Sequence, residues 1–316
     1  MDGRLTHVRA IMDHRDERER KLTGHPLFAW LRSDEIPLRN RMDILPVSAP
    51  LPTMFRDLNM WVLRYPAPAS PLEAAINAHT IEDATHSRLY VHDWRALGFD
   101  ERLGYSAADT LWWLFASPHT LPFRDRLPVL AGIAAADRGD PVLRYVQAEA
   151  IEASGSAFFA GVTPVAEEFS TLTGVEFRYF GQYHLDRETG HIDTGNAFED
   201  IVLDARQRMQ ALRLFDRVFD AMVAFVDACY DYALAYAGPG MLPHSGRDPG
   251  WGTEWETLPW SASQTMEFCY LNPDMDPARY QLLARLAGGQ LPWPAPQPRP
   301  DTDPVATRMT SFLAAV

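Results

Sequence analysis

His79, Glu82, Asp83 and His86 recur at intervals of three and four residues. On an α-helix, with about 3.6 residues per turn, that spacing puts all four on one side. Glu149 and Glu152 form a second pair, three residues apart. His184, Glu188 and His191 form a third group. Positions 79 and 86 point within about 20° of each other, and Glu188 and His191 stay within about 40° of His184. Each group thus lays imidazole or carboxylate along one line of its helix. Burying so many ionisable groups is costly unless something neutralises them. Three such lines facing one another would cage two metal ions, as helical bundles do in carboxylate-bridged di-iron sites. Mixed imidazole and carboxylate ligands suit iron, with manganese the other metal they fit. The two cysteines, Cys229 and Cys269, belong to none of the groups. The chemistry to expect is therefore non-haem iron with O₂ as co-substrate. The competing reading is a hydrogen-bonded polar core. Each pattern alone is common by chance, and the coincidence of three in phase favours metal.

These groups need helices to carry them. Ser70-Pro71-Leu72-Glu73 is a helix start, with a capping serine, proline at the first position and glutamate three residues on. Gly98 is a stop. A helix over 71–97 would turn Leu72, Ile76, His79, Glu82 or Asp83, His86, Tyr90 and Leu97 inward. Pro141 starts another helix, to about 160, with Tyr145, Val146, Glu149, Glu152 and Phe159 on its buried face. Thr163-Pro164 opens a short helix that ends near Gly174. The stretch 176–191 carries the third group. Asn196-Ala-Phe-Glu199 begins the longest helix, 197–236. Strand patterns are nearly absent, so the fold class is all-α, a bundle of about eight helices. Beyond 240 the character changes. Trp251, Trp255 and Trp260 lie among prolines and glycines without clear period, although 276–286 has helical composition. The expected organisation is a helical domain over 1–240 and an extension over 241–316. That extension would cover the pocket mouth, form a homodimer surface or bind a partner.

Composition narrows the function. The formal net charge is −13 over 316 residues, so no basic footprint for nucleic acid or an anionic membrane is present. No stretch is long and apolar enough to read as a membrane span. Two cysteines make no disulfide framework, which leads us to expect a reducing, cytoplasmic setting. The partner to expect is a small-molecule substrate.

The order of elements resembles the heme-oxygenase-like fold. The resemblance rests on Gly24-His25-Pro26-Leu27-Phe28 near the N-terminus and on Tyr179-Phe-Gly-Gln-Tyr-His184-Leu-Asp-Arg-Glu188-Thr-Gly-His191. It covers roughly residues 5–236. Within that fold the pattern is similar to the heme-oxygenase-like di-iron oxidases and oxygenases. The resemblance implies that His86 is a ligand, that Glu152 or else Glu149 is the lone glutamate, and that His184, Glu188 and His191 complete the set. His79 stands where the family has glutamate, and Glu82, one turn on, could restore the carboxylate. One metal would then take His79, His86 and His184 with Glu82 nearby or bridging. The other would take Glu152, Glu188 and His191. Asp83 and Asp186 would orient imidazoles, or lie at the surface. Tyr90, Tyr183 and Ser87 are candidates for the pocket wall, with packing the commoner role. The implied activity is O₂-dependent N-oxygenation, desaturation or carbon–carbon cleavage of a small molecule, often in natural-product pathways. Other readings are a metal-free enzyme of the fold (thiaminase II-like, which needs a cysteine nucleophile, or quinone-cofactor cyclase-like), a haem-handling protein using His25, and a non-catalytic scaffold.

Overall fold

Helix starts written in the sequence appear where the capping chemistry puts them. In a computed structural model of the chain, residues 6–117, 120–137, 139–188 and 198–236 are described. Ser70 Oγ accepts the Glu73 N–H at 3.2 Å, and Ser106 and Asp109 form a reciprocal capping box. Asp140 Oδ1 accepts the Val142 N–H at 2.9 Å ahead of Pro141. Gly98 and Gly174 stop helices in the left-handed conformation, with φ of 65° and 75°.

The molecule is all-α. Short helices lead in: α1 (Arg9–Met12), α2 (Arg15–Thr23), α3 (Pro26–Leu31) and α4 (Leu38–Arg41). Next come α5 (Pro50–Asp57) and a π-helical turn at Leu58–Leu63. Two helices, α6 (Pro71–Asp83) and α7 (His86–Ala96), carry the first candidate group. After α8 (Phe99–Leu103), α9 (Ala107–Phe115), α10 (Leu121–Arg124) and α11 (Arg126–Ala135) comes the long α12 (Pro141–Thr173). The last two among the described residues are α13 (Gln182–Glu188) and α14 (Ala205–Tyr236). A two-residue antiparallel pair, β1 (Thr6–His7) with β2 (Val202–Leu203), ties the N-terminus to the approach of α14. No described helix is long and apolar enough to cross a membrane.

The long helices α12 and α14 form the central packed pair, with α2, α3, α6 and α13 against α12 and with α5 against α7. Aromatic edges run through the middle. Phe158 of α12 meets Phe225 of α14 at 5.5 Å between ring centroids, and Phe225 meets Phe123 at 5.8 Å. All three are buried, each worth about 2 kcal/mol by removal of its surface from water. Phe28 of α3 sits directly on Gly161 of α12, in space that any Cβ at 161 would fill. Alanine raises helix propensity over glycine by about 1 kcal/mol, but overpacking a close core contact costs about 1–3 kcal/mol. Gly161→Ala is therefore expected to destabilise the protein by about 1–2 kcal/mol, read as a lower chemical-denaturation midpoint.

Several boundaries differ from those the sequence suggests, and more, shorter helices result. The helix expected over 71–97 breaks at Ala84–Thr85. Thr85 N–H bonds back to the Glu82 carbonyl at 2.9 Å, and Thr85 Oγ1 bonds the same carbonyl at 2.8 Å. A threonine competing for that carbonyl tightens the turn, and α6 ends at Asp83. Conversely, Pro164 opens no new helix, because α12 runs straight through it. Proline there forfeits a hydrogen bond and costs about 3 kcal/mol. Burial of Val162, Val165 and Ala166 around it offsets that cost. The last helix starts at Ala205 rather than near 197, capped by Asp204, whose Oδ1 accepts the Arg206 and Gln207 N–H groups at 2.8 Å each. The extension over 241–316, with its three tryptophans and the 276–286 stretch, lies outside the described residues.

Candidate metal centre

Three of the expected donors meet where α6 faces α12. His79 Nε2 lies 3.2 Å from Asp83 Oδ2 and 3.9 Å from Glu152 Oε2. One donor atom from each of these three residues falls within 4.8 Å of the others. On the far side of Asp83, its Oδ1 is 3.9 Å from His86 Nδ1, which is 3.2 Å from His184 Nε2. Asp83, His86 and His184 are all nearly fully buried. Ligand atoms on one first-row metal, with bonds of about 2.0–2.2 Å, stand about 3 Å apart. The His86–His184 and His79–Asp83 spacings meet that distance, and Glu152 lies somewhat farther out. The donor chemistry of His79, Asp83 and Glu152 could hold a metal ion, and the His86–His184 pair lies on the other side of Asp83.

The carboxylate from α6 that joins this donor group is Asp83, where the sequence favoured Glu82. Glu82 joins no three-residue donor group among the described residues. Asp83 shares the buried face of α6 with Leu72, Ile76 and Thr80, and Glu82 lies at its side. The grouping changes as well, since His79 sits with Glu152 rather than with the histidine pair. Glu149 stays near His79 but is engaged by Tyr145, and burial pushes its carboxyl upward. Asp186 is exposed and accepts a hydrogen bond from Gln182 Nε2 at 2.8 Å. The Glu188 side chain and His191 lie outside the described residues.

Burial alone would pull the His79 imidazole down, but the Asp83, Glu152 and Glu149 carboxylates outweigh it and carry it up to about 10. In metal-free protein, a raised histidine stabilises the fold fully below its ordinary value near about 6.5, and that contribution is lost as pH rises through about 10. Metal binding has the opposite sign, because ligation must displace the proton. Metal uptake near neutral pH is expected to release a proton from His79, and apparent affinity should climb with pH toward about 10. Calorimetry in buffers of different ionisation enthalpy reads that release, and His79→Gln should abolish it.

His184 is held from behind. A carbonyl can only accept, so His184 Nδ1 carries the proton and donates to the Tyr179 carbonyl at 2.9 Å. That leaves the Nε2 lone pair facing His86. The Tyr179 peptide is itself clamped by Asp93 of α7, a fully buried residue. Its carboxylate accepts the N–H groups of Arg178, Tyr179 and Phe180 at 2.7, 2.8 and 2.9 Å. Phe159 packs edge-on against the His184 ring at 4.2 Å, and Tyr179 stacks on it at 4.9 Å. Sequence reading missed Asp93, although it lies seven residues after His86 on the same inward line.

A cavity of about 80 Å³ opens onto Asp83, His86, Glu152 and His184. Its remaining wall is mostly apolar, from α5, α12 and α14, and includes Arg126 of α11. Tyr90, Tyr183 and Ser87 do not line it. Tyr90 instead packs in the core and donates to the Leu45 carbonyl at 2.7 Å. Cys229 is buried outside this wall, and burial pushes its thiol up, which suits no nucleophile. His25 caps α3. Its Nδ1 accepts the Leu27 N–H at 3.1 Å, and its Nε2 bonds Asp227 at 2.9 Å, so both ring nitrogens are engaged.

A scan against protein-family models finds no match, and a search of the curated proteins finds no significant match.

Proposed function

We propose that the protein is a non-haem di-iron oxygenase or oxidase that activates O₂ on a small organic substrate, with N-oxygenation, desaturation or carbon–carbon cleavage as the reaction types. The observation that supports this most directly is the convergence of His79, Asp83 and Glu152 with the His86–His184 pair on the wall of one cavity. A bound pair of ferrous ions would supply the electrons that activate O₂. His79 and Glu152 would hold one ion, His86 and His184 the other, and Asp83 lies between them. Glu188 and His191 extend the set in sequence. Ile151, Phe158 and Phe159 keep the substrate side of the cavity apolar and limit water. The Tyr179 carbonyl fixes which nitrogen of His184 is free.

The test is anaerobic loading with iron(II), followed by metal analysis and rapid mixing with O₂. The expected result is about two irons per chain and an O₂-dependent optical transient, both lost in His86→Ala and His184→Ala. A wild-type protein that retains no metal would remove the basis of the proposal. So would metal binding indifferent to both substitutions.

A further inference from the structure

Three oxidisable rings run outward from the candidate centre. Tyr179 lines the cavity and stacks on the His184 ring at 4.9 Å between centroids, with the planes 26° apart. Tyr90 of α7 meets Tyr179 edge-on at 5.5 Å, and Trp94, one turn further along α7, lies 6.4 Å from Tyr90. Each step is a direct ring contact. Tyr90 is buried and Trp94 half-buried, and the Trp94 indole N–H donates to Oδ1 of the exposed Asp100 at 2.7 Å. The run therefore joins a candidate ligand to the surface. Phe159 and Phe180 also touch Tyr179, at 5.1 and 4.8 Å, but phenylalanine gives up an electron far less readily. Tyr105 and Trp113 touch each other at 5.8 Å, but neither lines the cavity. The members of the run differ in what they can do with a proton. The Tyr90 hydroxyl donates to the Leu45 carbonyl, burial pushes this phenol well up, and neither that carbonyl nor the nearby Ser48 hydroxyl is a base. Trp94 faces a carboxylate that can take its proton.

We propose that Tyr179, Tyr90 and Trp94 form an electron relay that drains oxidising equivalents from the centre to the surface when O₂ reacts there without substrate. That the equivalents arise at a metal centre rests on the oxygenase reading. That the three rings pass an electron does not. One electron moves from Trp94 through the two tyrosine rings to the oxidised centre, which is thereby reduced by one electron. The Trp94 indole, now a radical cation, gives its N–H proton to the Asp100 carboxylate and becomes a neutral indolyl radical. A one-electron reductant in solution, a thiol or ascorbate, is oxidised as it returns an electron to the indole, and the proton comes back from Asp100. The net change is one electron carried from the reductant to the centre. Trp94 is the outer terminus because it is the member of the run with a carboxylate on its N–H, while Tyr90 passes the electron and keeps its proton.

Two arms test the relay. In the first, iron(II)-loaded protein is mixed with O₂ without substrate and frozen for electron paramagnetic resonance. A neutral indolyl radical is expected in the wild type and should be lost in Trp94→Phe at unchanged iron content. In that variant oxidation should instead accumulate on the peptide carrying Tyr179 and His184, read by mass spectrometry. In the second arm the protein is metal-free and carries aminotyrosine, an easily oxidised analogue, in place of Tyr179. A ruthenium photo-oxidant flashed in the surrounding solvent should then produce an aminotyrosyl radical, with a yield that falls in Trp94→Phe and in Tyr90→Phe. Iron-loaded protein with no indolyl radical, or with one indifferent to Trp94→Phe, would overturn the inference. So would an aminotyrosyl yield indifferent to both substitutions. Should Trp94→Phe fail to fold, Asp100→Asn decides the first arm, a cationic in place of a neutral indolyl radical supporting the relay and an unchanged one overturning it, and Tyr90→Phe decides the second. Failure to load iron with the Trp94-dependent aminotyrosyl radical intact would sink the metal reading alone. Iron loading with both radicals indifferent to Trp94 would sink the relay alone.

Discussion

Asp83→Asn is expected to lower iron(II) affinity by at least about a hundredfold. Removing an outlying partner of a ligand costs about 10–100-fold, and Asp83 touches both halves of the cluster. The amide keeps shape and volume but cannot neutralise a cation. The same substitution removes the nearest anion from His79, so that imidazole should fall from about 10 back toward its ordinary range, which histidine-resolved NMR titration of metal-free protein would show. Glu82→Gln is the matched control and should leave iron content near wild type. If Glu82→Gln removed the metal and Asp83→Asn did not, the assignment made from burial and geometry would be reversed.

The second large effect is Asp93→Ala. Three backbone N–H groups would lose one shared buried acceptor, and each unsatisfied buried donor costs about 1–3 kcal/mol. Entry of water would recover part of that. A net loss of about 4 kcal/mol is expected, or a fall of about 10 °C in melting temperature for a domain of this size. The damage should not be confined to stability. With the Tyr179 peptide released, the acceptor that sets the His184 tautomer moves, and iron affinity should drop even where the protein remains folded. Asp93→Asn keeps an acceptor oxygen, so it should recover part of the stability. Recovery of stability without recovery of metal binding would separate the fold from the positioning of His184.

Much of this was legible in the sequence, and the failures have local causes. The all-α class followed from helical spacing with almost no alternation. Ser70, Ser106 and Pro141 marked true helix starts because capping is decided by near neighbours. Pro164 misled because its local cost is outweighed by burial around it, which only tertiary packing reveals. Glu82 and Asp83 are chain neighbours, and burial separates them where spacing alone does not. The buried face of α6 runs through Leu72, Ile76, Thr80 and Asp83, and Glu82 lies beside it. His79, His86, Glu152 and His184 could be placed from spacing. Asp93 continues the same inward spacing past His86 and Tyr90 and was legible too, whereas Arg126 stands alone, and a single charge has no period to betray it.

The inward placement of Asp83 has a further consequence. It makes the first stretch read His79-x3-Asp83-x2-His86, and the other reads His184-x3-Glu188-x2-His191, the same interval with the same residue chemistry. Two stretches far apart in the chain thus carry two imidazoles and one carboxylate at one spacing, and Glu152 has no counterpart in that repeat. Exchanging aspartate and glutamate between positions 83 and 188 asks whether the two stretches are interchangeable in metal binding.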